Sequence, residues 1–208
     1  METITLVSFI IGIAGFCWGI ATWIYTYRKT RRLYDQLRRV TWDEIRLGSR
    51  ELRAKFEHDF QPTVIFAPCR RGATIANLMF DTGENILLHV GIRIDKRDKN
   101  QELSTNLPAK DWKIVETDKY FDYIPRALVD FLHANKEAKL LILDDFAMTG
   151  DSLKGFVDFF ESHDVKRENI RTIAIVGTRA SLEGKNLPDL CWFKTTEERF
   201  YFPWGKAI

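Results

Sequence analysis

Apolar positions along the chain fall into three kinds of run, and each predicts a different element. The first is continuous: no charged residue occurs from Ile4 to Tyr27. That length suffices for a helix across a bilayer, which needs about 20 apolar residues. The second is a short aliphatic block bounded by turn residues, as at Val64 to Ala67, Leu140 to Leu143 and within RTIAIVGTRA. Such blocks predict strands buried on both faces. The third is helical spacing, seen in Trp42, Ile45, Leu52 and Phe56, in Ala73 to Phe80, in Leu128, Phe131 and Leu132, and in Leu153, Phe156, Phe159 and Phe160. Thr41 with Glu44 three residues on has the form of a capping box before the first of these helices. Asp122 is expected to cap the helix containing Pro125, a residue tolerated in a first turn. Further strands are expected near Ile86 to Ile94 and Trp112 to Val115.

Strands alternating with helices predict a parallel sheet with right-handed crossovers. The fold class is therefore α/β: a parallel sheet flanked by helices over residues 41–208, preceded by one transmembrane helix and a basic juxtamembrane segment over residues 1–40. Within that segment RRLYDQLRRV is expected to continue the helix out of the membrane, its arginines favouring anionic headgroups.

Composition refines this outline at a few points. A length of 208 residues suits one globular domain with something added. Arg28, Lys29, Arg31 and Arg32 follow the apolar run, against Glu2 before it, so the positive-inside bias places the C-terminal domain in the cytoplasm of a single-pass protein anchored through residues 4–27. A cleaved signal peptide would want a basic start, a shorter apolar core and a small-residue cleavage site, none of which is evident. A net charge of +2 is too small to suggest a nucleic-acid binder. Cys17, Cys69 and Cys191 are scattered, without CxxC spacing, and indicate neither a disulfide framework nor a zinc site. Gly12, Gly15 and Gly19 permit close helix packing, so a homo-oligomer or partner proteins stay open.

The candidate chemistry lies where a buried strand meets charge. In LLILDDFAMTGDS, Asp144 and Asp145 end a buried strand and precede a loop that opens a helix. Ligands of parallel sheets bind outside the carboxyl ends of the strands. A phosphate on the loop Ala147, Met148, Thr149, Gly150, Asp151 and Ser152 would meet unpaired backbone N–H groups and the positive end of the helix dipole. The Thr149 and Ser152 hydroxyls add donors, and Gly150 lets the backbone come close. Ionised carboxylates only accept hydrogen bonds, which suits the vicinal diol of a ribose. One loop thus reads as a ribose 5-phosphate site. Arg70 and Arg71 lie in a second loop, Pro68 to Gly72, on the same edge. Cys69 beside them is read as an ordinary loop thiol. The polar stretch between Ile94 and Trp112 is the candidate lid. The histidines His58, His89, His133 and His163 are scattered and suggest no metal or base chemistry.

These residues resemble the type I phosphoribosyltransferases, whose signature is an apolar strand, two acidic residues, a loop with Thr-Gly and a helix. PTVIFAPCRRGATIANLM is similar to that family's pyrophosphate loop. RFYFPWGK resembles the C-terminal hood of the xanthine and hypoxanthine-guanine type. The resemblance implies transfer of a phosphoribosyl group from phosphoribosyl pyrophosphate (PRPP) to a nucleobase-like acceptor, with Mg2+ as cofactor. Asp144 and Asp145 would take the ribose hydroxyls, Ala147 through Ser152 the 5-phosphate, and Arg70, Arg71 and Gly72 the diphosphate. Asp144 would meet the metal mostly through water, and Arg199 and Phe200 would lie in the base-binding hood. Three departures stand out. Met148 occupies a place where an acid often stands, Thr178 or Arg179 replaces a purine-reading lysine, and Arg199 replaces a stacking aromatic. They imply relaxed base choice, and they keep a second reading open: a PRPP- or nucleotide-binding effector or sensor module of a multi-protein system.

Overall fold

The computed structural model describes residues 18–20, 22–28, 38–81, 83–97, 107–108, 110–184, 186, 188–195 and 200–206. Most of the apolar segment 4–27 lies outside these. Its described part, residues 18–20 and 22–28, is helical, with Trp18, Trp23, Tyr25 and Tyr27 exposed and Trp23 stacked on Tyr27. Among the described residues no helix is long and apolar enough to cross a membrane.

The core is a five-stranded parallel sheet. Its strands are β2 (Val64–Ala67), β3 (Leu87–Val90), β7 (Leu140–Ala147), β8 (Ile170–Thr178) and β9 (Leu190–Thr195), in the order β3-β2-β7-β8-β9. The aliphatic blocks occupy its centre because both faces are covered. Leu141 and Leu143 of β7 pack with Ile45, Leu52, Ile75 and Met79 from α1 (Trp42–Phe56) and α2 (Arg70–Met79). Leu140 and Ile142 pack instead with Leu128, Leu132, Phe156 and Phe160 from α3 (Arg126–Ala134) and α4 (Asp151–Glu161). Helix α1 starts at the expected capping box, with the Thr41 hydroxyl accepting from Glu44 N–H and the Glu44 carboxylate from Thr41 N–H.

Two smaller sheets were not legible in advance. The residues expected as strand near Ile86 to Ile94 divide at Gly91, β3 joining the core and β4 (Ile92–Asp95) a separate antiparallel sheet, β4-β6-β5, with β5 (Trp112–Glu116) and β6 (Tyr120–Pro125). A Cβ on Gly91 would sit 2.9 Å from the Tyr123 carbonyl oxygen, so the crossing point needs the missing side chain. Asp122 is not a helix cap: it lies inside β6, fully buried, and Pro125 precedes the helix. Its neighbours Phe121, Tyr123 and Ile124 favour a strand, and β6 forms between two partners. The third sheet ties both ends of the domain together. Arg38 and Arg39 form β1, expected as helix but here paired in parallel with β10 (Phe200–Phe202), which also pairs with β11 (Gly205–Lys206). This is the hood.

Candidate active site

The expected loop Pro68 to Gly72 is shorter than read. Helix α2 begins at Arg70, with Cys69 at its N-cap position. A Cβ on Gly72 would lie 2.3 Å from the Leu143 carbonyl oxygen, so the helix packs directly on the backbone of β7 just before Asp144. Strand β7 in turn runs past Leu143 to Ala147, because β8 continues to pair with it as far as Gly177. The acidic pair is therefore held in the sheet, at its carboxyl edge. Gly150 then turns the chain with φ of +79°, a left-handed conformation, and α4 starts at Asp151.

These elements enclose a cavity of about 180 Å³. Asp144, Asp145 and all of Ala147, Met148, Thr149, Gly150, Asp151 and Ser152 line it, together with Arg71. The structure thus brings together most of the residues singled out by sequence. Arg70 is exposed and is not part of the lining. Gly72 is buried under β7. Phe200 is placed by its backbone in β10, and Arg199 lies outside the described residues, as does most of the candidate lid.

Both carboxylates are almost wholly buried. Asp144 Oδ2 accepts from Arg93 Nη1 at 3.0 Å, and its Oδ1 accepts the Asp145 backbone N–H at 2.9 Å. Asp145 Oδ2 accepts from Trp204 Nε1 at 3.1 Å and lies 3.4 Å from Arg71 Nη1. Burial, reinforced by the charge of Asp144, pushes the Asp145 carboxyl up to about 7. Burial opposes the charge of Arg93, but Asp144 and Asp122 outweigh it and hold the guanidinium protonated. The Cys69 thiol is also pushed up, to about 11, by burial and then by the two carboxylates.

Several residues that line the cavity or touch the acidic pair escaped the sequence reading. Arg93 and the β5–β6 turn, Thr117 to Tyr120, form the wall of the cavity across from the loop. Arg93 is a charge alternating with isoleucines in GIRID, and Asp122 an acid among aromatics in YFDYIP. An embedded charge of this kind was the available signal. Trp204 closes on Asp145 from the hood while stacking on Phe202 at 5.2 Å. Thr178, entertained as a base-reading position, is fully buried and donates its hydroxyl to the Met148 carbonyl. It braces the loop and does not line the cavity.

A parallel sheet with an acidic pair and a glycine-turned loop at its carboxyl edge defines an α/β protein of the class whose ligands bind outside the carboxyl ends of the strands. Residues 41–207 match the family described as phosphoribosyl transferase domain, and the chain belongs to that family. The enzyme class expected from the sequence, phosphoribosyltransferase, stands with it. No curated protein matches the chain. Among solved structures it is similar to a purine phosphoribosyltransferase from Pyrococcus horikoshii Ot3, with 18% identity, coverage of 82% of this chain and 95% of that one, and a TM-score of 0.57. A Helicobacter pylori xanthine-guanine-hypoxanthine phosphoribosyltransferase gives 14%, 82%, 94% and 0.57 for the same quantities. A hypothetical protein from Neisseria gonorrhoeae with bound ppGpp gives 12%, 81%, 90% and 0.53. At these identities the likeness is one of fold.

Proposed function

We propose that the chain transfers the 5-phosphoribosyl group of PRPP to a nucleobase-like acceptor, releasing pyrophosphate, on a domain tethered to the cytoplasmic side of a membrane by residues 4–27. The observation that carries the reading is the convergence on one cavity of the acidic pair, the whole loop Ala147 to Ser152 and Arg71. In this reading the first turn of α4 and the loop amides take the 5-phosphate. Asp144 and Asp145 accept from the ribose hydroxyls. As the anomeric C–O bond breaks and a C–N bond to the acceptor forms, negative charge grows on the departing diphosphate, which Arg71 and Lys119, both lining the cavity, would meet in this reading. Met148 offers no proton acceptor beside the acceptor nitrogen, so turnover is expected to be slow and base choice relaxed.

The donor set fits a divalent cation. The carboxyls of Asp118, Asp144, Asp145 and Asp151 line the cavity with three cations, Arg71, Arg93 and Lys119, and a cation bound beside Asp145 would favour its ionised form. Ligand atoms of Asp144, Asp145 and Cys69 lie within 4.8 Å of one another. The carboxylate oxygens suit Mg2+ and the thiol does not. Asp144 and Asp145 would hold it, with waters, and bound magnesium would supply neutralisation of the diphosphate.

The membrane tether is supported by the uncharged stretch, its basic flank and the exposed aromatics of its described helical part. Protection of the C-terminal domain from protease added on the cytosolic side of sealed vesicles would overturn it. A second reading, a domain that binds PRPP or a nucleotide without turnover, is favoured by Thr178 being committed to the loop, and the Neisseria neighbour holds ppGpp. The full-length chain, incubated with PRPP, magnesium and a panel of purine and pyrimidine bases, is expected to release pyrophosphate above background. Binding of PRPP with no release for any base would remove the transferase reading and leave the second.

A further inference from the structure

The small antiparallel sheet sends one charged side chain into the acidic pair. Arg93 on β4 is the direct cross-strand partner of Asp122 on β6, and its Nε donates to Asp122 Oδ1 at 2.6 Å. Its Nη1 reaches past that pair to Asp144 of the core sheet at 3.0 Å. The side chains are 13%, 1% and 2% exposed for Arg93, Asp122 and Asp144. The guanidinium also lies 5.2 Å from the Tyr120 ring and 5.9 Å from that of Phe156.

Stability alone does not account for this arrangement. A buried guanidinium and one carboxylate would already neutralise each other, and apolar packing of the same volume often serves a fold as well. Here a second carboxylate is added, so the buried trio carries a net negative charge. Arg93 Nη2 and Asp122 Oδ2 are left buried without a hydrogen-bond partner. What the contact does achieve is definite. It holds Oδ2 of Asp144 while the Asp145 amide holds Oδ1, so both oxygens of the carboxylate are fixed in place.

The geometry points to Arg93 as a positioning residue, oriented by Asp122, that presents the Asp144 carboxylate to the ribose in one fixed orientation. This rests on the ribose 5-phosphate site proposed above. It also makes the small sheet part of the site, since Arg93 and Thr117 to Tyr120 line the same cavity as Asp144.

Binding of ribose 5-phosphate without metal, measured by calorimetry on the full-length chain, tests the inference separately from catalysis. R93M is expected to weaken binding about 10- to 100-fold, the range for losing one partner of a hydrogen bond between charged groups. R93K should recover part of that loss, because the ammonium keeps the charge without the fork. D122N alters a side chain that does not line the cavity, yet it should weaken binding in the wild-type background and have no further effect in D144N. A merely structural role would give the same D122N effect in both backgrounds. Wild-type binding with R93M within twofold of it, or an undiminished D122N effect in D144N, overturns the positioning role alone. No binding of ribose 5-phosphate by the wild type overturns the proposed site and this role together. Should R93M fail to fold, as judged by thermal unfolding, R93K and the D122N cycle decide the matter.

Discussion

Replacing Asp145 by Asn is expected to stabilise the protein above pH 7 while weakening its hold on PRPP. The carboxyl is 5% exposed and is pushed from the ordinary aspartate value of 3.8 to about 7, by burial first and by Asp144 second. The folded state therefore binds this proton more tightly than the unfolded chain does. The group's contribution to stability is fully present below about pH 4 and is lost as pH rises toward about 7. Three pH units at about 1.4 kcal/mol each put the loss near 4 kcal/mol. Asparagine carries no such titration, but it leaves Arg71, 35% exposed, without its anion. That attraction already lowers the Asp145 carboxyl toward about 7, so it is contained in the loss just given. The expectation is a gain of about 4 kcal/mol at pH 8 and almost none at pH 4. Urea unfolding of wild type and D145N between pH 4 and pH 8 reads the difference directly, and subtraction removes the contributions of titrating groups common to both proteins. A difference that does not grow with pH, or a variant less stable than wild type at pH 8, would refute the reasoning.

Three further substitutions probe the loop and its supports. A Cβ on Gly150 would lie 1.7 Å from the Asn186 carbonyl oxygen at a φ of +79°, so G150A should destabilise the domain by about 1–3 kcal/mol and weaken ribose 5-phosphate binding; unchanged melting and affinity would contradict the assigned loop geometry. Thr178 holds the Met148 carbonyl from a fully buried position, so T178V should cost about 1–3 kcal/mol of stability in denaturant melts, and a neutral result would remove its bracing role. Arg71 lines the cavity and Arg70 does not, so R71A should lower kcat for pyrophosphate release more than it raises KM, while R70A leaves both near wild type; equal losses would return Arg70 to the site.

How much of this was legible beforehand depends on how far apart the interacting residues lie. The run Leu140 to Leu143, the acids after it and the Thr-Gly turn are contiguous, so periodicity and turn chemistry sufficed to place an anion loop at the edge of a buried strand. The capping box at Thr41 and Glu44 is equally local, and it formed as expected. Asp122 misled because an acid near a proline is a good helix-start signal, and only the two flanking strands of its sheet override that preference.

What the tertiary structure alone decided is the company the acidic pair keeps. Arg93 is 51 residues from Asp144 and Trp204 is 59 from Asp145. No local pattern links positions so distant. They meet because β4 turns away from the core sheet at Gly91 to pair with β6, and because β1 and β10 close the hood against β7. Sequence by itself determined the acidic pair and the glycine-containing loop on which the proposed ribose phosphate site rests. Burial and strand pairing determined that one carboxylate is clamped by a cation and that the other holds its proton to about pH 7. Those properties follow from desolvation and from charges brought in by other elements, which exist only once the chain has packed.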